Sequence, residues 1–307
     1  MIYTVTLNPA LDYFVEIDEL NVGALNRSTY DYKAPGGKGI NVSRVLKRFG
    51  HNSKSLGFTG GFTGDYVRDV IEKEGIETDF IQVNGDTRIN IKVKGKIESE
   101  INGVSPDIKN EYLEQLQKQL SVLNEGDALV LAGSVPSTIP DDIYETLCQG
   151  ALDRKAEVFI DSSGEPMKKV IEKRPTFIKP NHHELGELFS VELKEPKEAV
   201  PYVRKLIEKG ITYVLVSFAG DGAILGTNEQ ILYANTPKGI VRNSVGAGDS
   251  VVAGFLAAKK EKMNLEDSFK FAVATGSATA FSKGFAQRED VETLMKEITI
   301  SEIGKGE

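Results

Sequence analysis

A single cysteine, Cys148, among 307 residues excludes an internal disulfide framework and points to a reducing compartment. Its neighbours Ile143, Leu147 and Ala151 recur at helical spacing, so the thiol reads as core rather than as a reactive group. Histidine is almost as scarce. The adjacent His182 and His183 have no cysteine or HxxxH partner, which argues against a zinc site. No apolar run approaches the roughly 18 residues that a membrane span needs. The start, Met1-Ile2-Tyr3-Thr4-Val5, lacks the basic-then-apolar pattern of an export signal, so a soluble cytoplasmic protein is expected. Positive charge is in deficit: a formal net charge of −8 disfavours nucleic acid or an anionic membrane as a general partner. A small anionic ligand remains open, because a few cations in a cleft outweigh a distant surface screened beyond about 10 Å.

Core material is plentiful, with 40% of residues hydrophobic and 27% charged. That suffices for one large α/β domain or two medium ones. Ala128-Leu129-Val130-Leu131-Ala132, bounded by Gly126-Asp127 and Gly133-Ser134, reads as a buried strand. Leu113, Leu116, Leu120 and Leu123 before it recur as on an amphipathic helix. The rhythm continues through strand Val158-Phe159-Ile160, helix Met167 to Lys173 and strand Phe177-Ile178. Helix Glu198 to Lys209 and strand Tyr213-Val214-Leu215-Val216 follow. Helices alternating with wholly apolar strands predict a doubly wound, mostly parallel α/β sheet with helices on both faces. Without a repeat or a low-complexity linker, residues 1–307 are expected to form one domain.

Two segments break the rhythm. Tyr13 to Asp18 alternates roughly, and Arg88-Ile89-Asn90-Ile91-Lys92-Val93 alternates cleanly, with Gly95 turning into Ile97 to Ile101. Ile89, Ile91 and Val93 share one face; Arg88, Asn90 and Lys92 share the other. Strands near 11–33 and 86–104 are therefore expected to build a small β appendage, either a lid over a site or a plain surface hairpin. Its apolar face needs a core or a second copy, so a homodimer through these strands is an expectation.

The chemistry is concentrated in glycine-rich segments. Asn243-Ser244-Val245-Gly246-Ala247-Gly248-Asp249-Ser250 runs into a helical face of Val251, Val252, Phe255 and Leu256. Glycines before a helix let amides converge on an anion, as a transferring phosphoryl group requires. Asp249 beside that cradle is placed to take the proton of an attacking hydroxyl, or serves only as a favourable partner for the helix dipole. Pro35-Gly36-Gly37-Lys38-Gly39-Ile40-Asn41 precedes a helix bearing Val42, Val45, Leu46 and Phe49. Gly39 after Lys38 departs from a P-loop, and Val42 takes the third glycine position of a dinucleotide fingerprint. The segment is a ligand loop or an ordinary turn. Lys179-Pro180-Asn181-His182-His183-Glu184 closes a strand: Asn181 and Glu184 have capping-box spacing, or face nucleotide phosphates and magnesium. Ser134 after Gly133, and Ser217-Phe218-Ala219-Gly220-Asp221-Gly222, end two further strands. No Ser-His-Asp or Cys-His set accompanies them.

Taken together these segments resemble the ribokinase-like, or phosphofructokinase B, sugar kinases. The two family signatures map onto Gly36-Gly37-Lys38-Gly39-Ile40-Asn41-Val42-Ser43 and Asn243 to Ser250. Thr6-Leu7-Asn8-Pro9-Ala10-Leu11-Asp12, Thr87-Arg88-Ile89-Asn90, Ala132-Gly133-Ser134-Val135-Pro136 and Lys179-Pro180-Asn181 follow in family order. Within the family the chain is most similar to the bacterial 1-phosphofructokinases, through Met1 to Pro9 and Glu100-Ile101-Asn102-Gly103; tagatose-6-phosphate kinases share much of this.

The resemblance implies a ribokinase-like fold with a β lid, ATP and Mg2+ as cofactors, and phosphorylation of a ketose phosphate, fructose 1-phosphate to fructose 1,6-bisphosphate. It implies Asp249 as base and the Gly246, Ala247 and Gly248 amides as anion hole. Asp12, Gly37, Lys38, Asn41 and Ser134 would hold the sugar, and Arg88 with Arg27 its phosphate. Lys179, Asn181, Ser217, Phe218, Ala219, Gly220, Asp221, Gly222 and Gly248 would face ATP, with Glu184 near magnesium through water. Asn243 and Pro35 depart from the family pattern: Asn243 suggests a weaker cation site, and Pro35 has no functional account in the sequence. Two rival readings remain, a dehydrogenase on a doubly wound sheet and a non-catalytic sugar-phosphate sensor.

Overall fold

A computed structural model describes residues 1–304; residues 305–307, at the end of the expected domain, lie outside the described ones. In chain order the first elements are β1 (Ile2–Thr6), β2 (Ala10–Glu16), β3 (Tyr30–Gly36), α1 (Lys38–Arg48), β4 (Lys54–Thr59), α2 (Gly61–Lys73), β5 (Glu77–Gln82), β6 (Arg88–Lys94) and β7 (Ser99–Ile101). The middle of the chain forms α3 (Asn110–Leu120), β8 (Ala128–Ala132), α4 (Ile143–Leu152), β9 (Glu157–Asp161), α5 (Gly164–Val170), β10 (Phe177–Ile178), α6 (His182–Phe189) and α7 (Val200–Glu208). The remainder is β11 (Tyr213–Ser217), β12 (Ala223–Gly226), β13 (Ile231–Ala234), α8 (Ala247–Lys260), α9 (Leu265–Phe281), α10 (Arg288–Leu294) and β14 (Ile300–Glu302).

Among the described residues ten strands form the main sheet, in the order β14-β13-β12-β11-β10-β9-β8-β1-β4-β5. Every pairing from β11 to β5 is parallel, and β12, β13 and β14 extend the sheet antiparallel. The mostly parallel, doubly wound α/β sheet expected from the sequence is thus present. Period-two geometry divides each apolar strand between two cores. In β8, Leu129 and Leu131 join the core under α3, α4 and α7, while Ala128, Val130 and Ala132 join the one under α1, α8 and α9. Cys148 lies fully buried in the first core, where burial pushes its thiol up to about 12. The helix expected from Glu198 to Lys209 is divided: a single 3-10 turn over Pro196–Ala199 precedes α7, with Pro201 accommodated in the first turn.

The remaining four strands make a small sheet in the order β3-β2-β6-β7. The strict alternation of β6 puts Asn90 beside Asp12 of β2, so Arg88, Asn90 and Lys92 share a face with Asp12. Ile89 is 40% exposed and Ile91 and Val93 are half-buried, so no core of the described residues closes that apolar face. The stacked pair Phe14–Tyr32, with ring centroids 4.5 Å apart, lies on the Asp12 face. Pro35 sits in the edge strand β3, where its missing N–H costs no ladder bond with a further strand. Among the described residues no helix is long and apolar enough to cross a membrane.

Candidate active site

Strand order reverses at β1. The chain passes to β4 on one side and later to β8 on the other, so the carboxyl ends of these strands part into a crevice. A cleft of about 510 Å³ opens there. The main sheet contributes Thr6, Asn8, Gly133, Ser134, Ser162, Ser163, Lys179, Asn181 and Ser217 from strand ends, with Glu184 from α6. The small sheet contributes Asp12, Arg88 and Lys92; the start of α1 contributes Gly37, Lys38 and Asn41. The entry to α8 contributes Val245, Gly246, Gly248 and Asp249. Residues separated by more than 200 positions in sequence thus face one space.

Gly246 opens α8 in the left-handed region (φ 78°), a conformation that other residues reach only under strain. Among the described residues the amides of Gly246, Gly248 and Asp249 have no hydrogen-bond partner, as expected for a first helical turn. The Ala247 amide differs from the expectation. It donates to Ser244 O at 3.2 Å, because the turn into the helix closes on that carbonyl. The available donors are therefore those of Gly246, Gly248 and Asp249. Asn243 is likewise engaged, accepting from the Val245 amide at 3.0 Å.

Asp249 is 6% exposed and accepts a 2.8 Å hydrogen bond from Asn41 Nδ2. Burial pushes its carboxyl up and the Asp161 carboxylate adds to this. Lys38, the Asn41 amide and Lys179 pull the other way, leaving it at about 6. A carboxylate poised there is ionised at neutral pH yet basic enough to take a hydroxyl proton.

Asp161, ending β9, has no exposed surface and no counterpart in the sequence-based site. Its Oδ1 lies 3.0 Å from Lys38 Nζ and 3.5 Å from Lys179 Nζ. Burial opposes its charge, but Lys179 and Lys38 overcome this and hold it below the usual carboxylate range. Burial likewise works against the Lys38 ammonium, and Asp161, Asp249 and Glu184 outweigh it, raising its pKa. One buried carboxylate thus aims two cations into the cleft beside the amides of α8. The signal that could have found it is a charged residue closing an apolar strand, Val158-Phe159-Ile160-Asp161, at the carboxyl end where ligands sit.

On the small-sheet side, Asp12 accepts from Asn90 Nδ2 at 2.9 Å. Gly36 on the neighbouring strand leaves room for it, since a Cβ there would lie 2.5 Å from Asp12 Oδ2. Burial raises the Asp12 pKa, against the Asn90 bond and the charges of Lys92 and Arg88. Arg88 donates through Nη2 to Asn8 O at 3.1 Å, and among the described residues its buried Nε has no partner. That orphan donor on a guanidinium suits an anion. Asn8 also donates to Ser134 Oγ at 3.2 Å and accepts from Ser105 Oγ at 2.7 Å. Asn8 and Lys92 join the lining although sequence reasoning gave neither a role.

Other expected contacts fall elsewhere. Arg27 is exposed in the connection between β2 and β3 and does not line the cleft. Phe218 is buried, its ring stacked on His182 at 5.2 Å, and Ala219–Asp221 forms an exposed single turn. Only Ser217 of the Ser217-to-Gly222 segment lines the cleft. Asn181 and Glu184 form the full capping box of α6, with bonds of 2.9 and 2.8 Å, while both still border the cleft. Among the described residues no group of three or more His, Cys, Asp or Glu side chains is arranged to hold a metal.

The profile of the pfkB family of carbohydrate kinases matches residues 6–291. A 1-phosphofructokinase of Bacillus subtilis (strain 168) is 52% identical over 303 residues, covering 99% of this chain and 100% of that protein. A D-tagatose-1-phosphate kinase of Bacillus licheniformis is 35% identical over 304 residues, covering 99% and 100%. The crystal structure of Escherichia coli phosphofructokinase-2 in complex with fructose-6-phosphate superimposes with a TM-score of 0.90 at 26% identity, covering 96% of this chain and 98% of that one. A buried carboxylate beside free helix amides, at the switch point of this sheet and within these matches, identifies the chain as a member of the pfkB family of carbohydrate kinases.

Proposed function

We propose that the chain transfers the terminal phosphoryl group of ATP to a hydroxyl of a ketose phosphate, converting fructose 1-phosphate to fructose 1,6-bisphosphate in the cytoplasm. The observation that carries this is the buried Asp249, hydrogen-bonded to Asn41 beside the unpartnered amides of Gly246 and Gly248. Asp249 takes the hydroxyl proton as the sugar oxygen bonds to the phosphorus, the terminal P–O bond of ATP breaks, and ADP leaves. The α8 amides, Lys38 and Lys179 meet the charge on the transferring group. Asp12, Asn41 and Ser134 orient the hydroxyls, and Arg88 grips the phosphate already on the sugar.

Magnesium suits the oxygen donors on the rim: Glu184 commits Oε2 to the Asn181 amide and would hold the ion through water. When bound, magnesium neutralises charge on the nucleotide phosphates. Lys179, Asn181 and Ser217 border the nucleotide side. The small sheet acts as a lid, and its partly exposed Ile89, Ile91 and Val93 favour a homodimer in which a second copy covers it.

The choice of sugar follows the higher identity to a 1-phosphofructokinase than to a tagatose-phosphate kinase. ADP release by purified protein with magnesium and ATP, offered fructose 1-phosphate, fructose 6-phosphate and tagatose 6-phosphate in parallel, tests the reading. Preference for fructose 1-phosphate is expected. Preference for another of the three would overturn the substrate and keep the chemistry, and no turnover with any would favour a non-catalytic sensor.

A further inference from the structure

Helices α1 and α8 and the segment after α9, residues 282–287, meet at a side chain that the chemistry above does not use. The ring of Phe285 lies against the α-carbon of Gly246, so that a Cβ there would come 2.5 Å from Phe285 Cε1. Arg44 and Arg48 of α1 hold their guanidinium carbons 4.9 and 5.8 Å from the ring centroid. Arg48 also donates to Phe285 O, and Arg44 is anchored by a two-pronged pair with Glu74 at 2.6 and 2.8 Å. The backbone beside the ring is tied to the same turn. The Ala286 amide donates to Thr279 Oγ1 (3.0 Å), which donates to Ser250 Oγ (2.8 Å), which donates to Gly246 O (2.7 Å).

Stability alone does not call for this arrangement. Burial, and then the neighbouring Arg44 charge, pull the Arg48 pKa down, so the paired cations work against each other. The spacing gives the reason. Asn41, Arg44 and Arg48 lie three and four residues apart, on one stripe of α1. At one end of the stripe Asn41 reaches Asp249; further along, the two arginines reach Phe285.

We infer that Phe285 is a positioning residue for phosphoryl transfer: gripped by Arg44 and Arg48, its ring sets the Gly246 turn at the separation from α1 at which Asn41 bonds Asp249. The inference rests on the reading of Asp249 as the base. It acts through Gly246 and Asn41 and makes no contact with substrate.

The test compares Phe285→Ala, Phe285→Leu and Phe285→Tyr in the full chain by kcat, KM for both substrates, the pH profile and thermal melting. Phe285→Ala is expected to lower kcat about 10–100-fold, the scale of a misplacement near 1 Å, with both KM values within about threefold. Its acidic limb is expected to move to higher pH, because a loosened Asn41 bond no longer lowers the Asp249 pKa. The other groups facing Asp249, namely Asp161, Lys38 and Lys179, are unaltered. Phe285→Tyr should restore kcat and the limb, and Phe285→Leu, which keeps bulk without the π face, should lie between. A kcat within about twofold of the parent, or a fall in kcat that leaves the limb unmoved, overturns the inference. If the alanine variant does not fold, the leucine variant is judged by the same criteria. An Asp249→Asn control separates the two readings. An inactive control with an unaffected Phe285→Ala overturns the positioning role alone, whereas an active control removes the base and this inference with it.

Discussion

Replacing Asp161 by asparagine removes the carboxylate that is ion-paired with both cleft lysines. At 3.0 and 3.5 Å, and with an effective dielectric near 20, each pair has a Coulomb attraction of roughly 5 kcal/mol. Desolvation cancels much of this, and solvent screens the Lys38 pair, whose lysine side chain is 37% exposed. The loss comes mainly from the buried Lys179 pair, where removing one member costs about 3–5 kcal/mol of net stability. At roughly 2–4 °C per kcal/mol, the melting temperature should fall by on the order of 10 °C. The second effect has a sign that stability does not set. The Asp161 charge raises the Asp249 pKa, while Lys38 and Lys179 lower it. Without the Asp161 charge only burial still opposes the pull of the two lysines and Asn41 on Asp249, so the base ionises more easily and the acidic limb of kcat/KM moves to lower pH. That direction is opposite to the one expected for Phe285→Ala. Calorimetry and ADP release across about pH 5 to 8 read both effects. A melting temperature within about 2 °C of the parent, or a limb that moves upward, would refute the role given to the Lys38–Asp161–Lys179 cluster.

Asp249→Ala should retain ATP binding by calorimetric titration and lose about 10²–10⁴-fold in turnover; near-normal turnover would remove Asp249 from its role. In the parent enzyme Asp249 must be ionised to act, so kcat/KM should fall as pH drops through about 6. A flat acidic limb would contradict that. Arg88→Ala should mainly raise the KM for the ketose phosphate, and an unchanged KM would move Arg88 out of the substrate contacts. Light scattering at micromolar concentration should give a dimer, which substituting Ile89 with a charged residue should weaken; a monomeric parent would sink the role given to the small sheet.

Much of this protein is local in origin and was therefore legible in order. The wholly apolar strand Ala128–Ala132 had to be covered on both faces, because neither set of alternating side chains could face water. Clean alternation in Arg88–Lys94 separated a polar from an apolar face but did not fix which one would be covered: Asn90 is buried on the cleft side while Ile89 is 40% exposed. Glycine before an apolar helix placed Asp249 at a helix start. Asn181 and Glu184, three residues apart, capped α6 as their spacing required. What remained hidden depended on who sits opposite. Asp161 looks like an ordinary strand end until β9 lies between β8 and β10 and its carboxylate meets lysines from positions 38 and 179. Arg27 and Phe218 sit in segments that the resemblance links to ligands, yet one projects from a loop and the other packs on His182. The Ala247 amide turns back on Ser244 because of a turn geometry that residue type alone does not specify. The parallel α/β sheet, the glycine turns and the candidate base could be read from residue order alone, since periodicity and backbone freedom act over a few neighbouring residues. Which charges share the cleft emerged with the folded chain, because electrostatic partnership and burial are set by strand order across the switch point, between residues far apart in the chain.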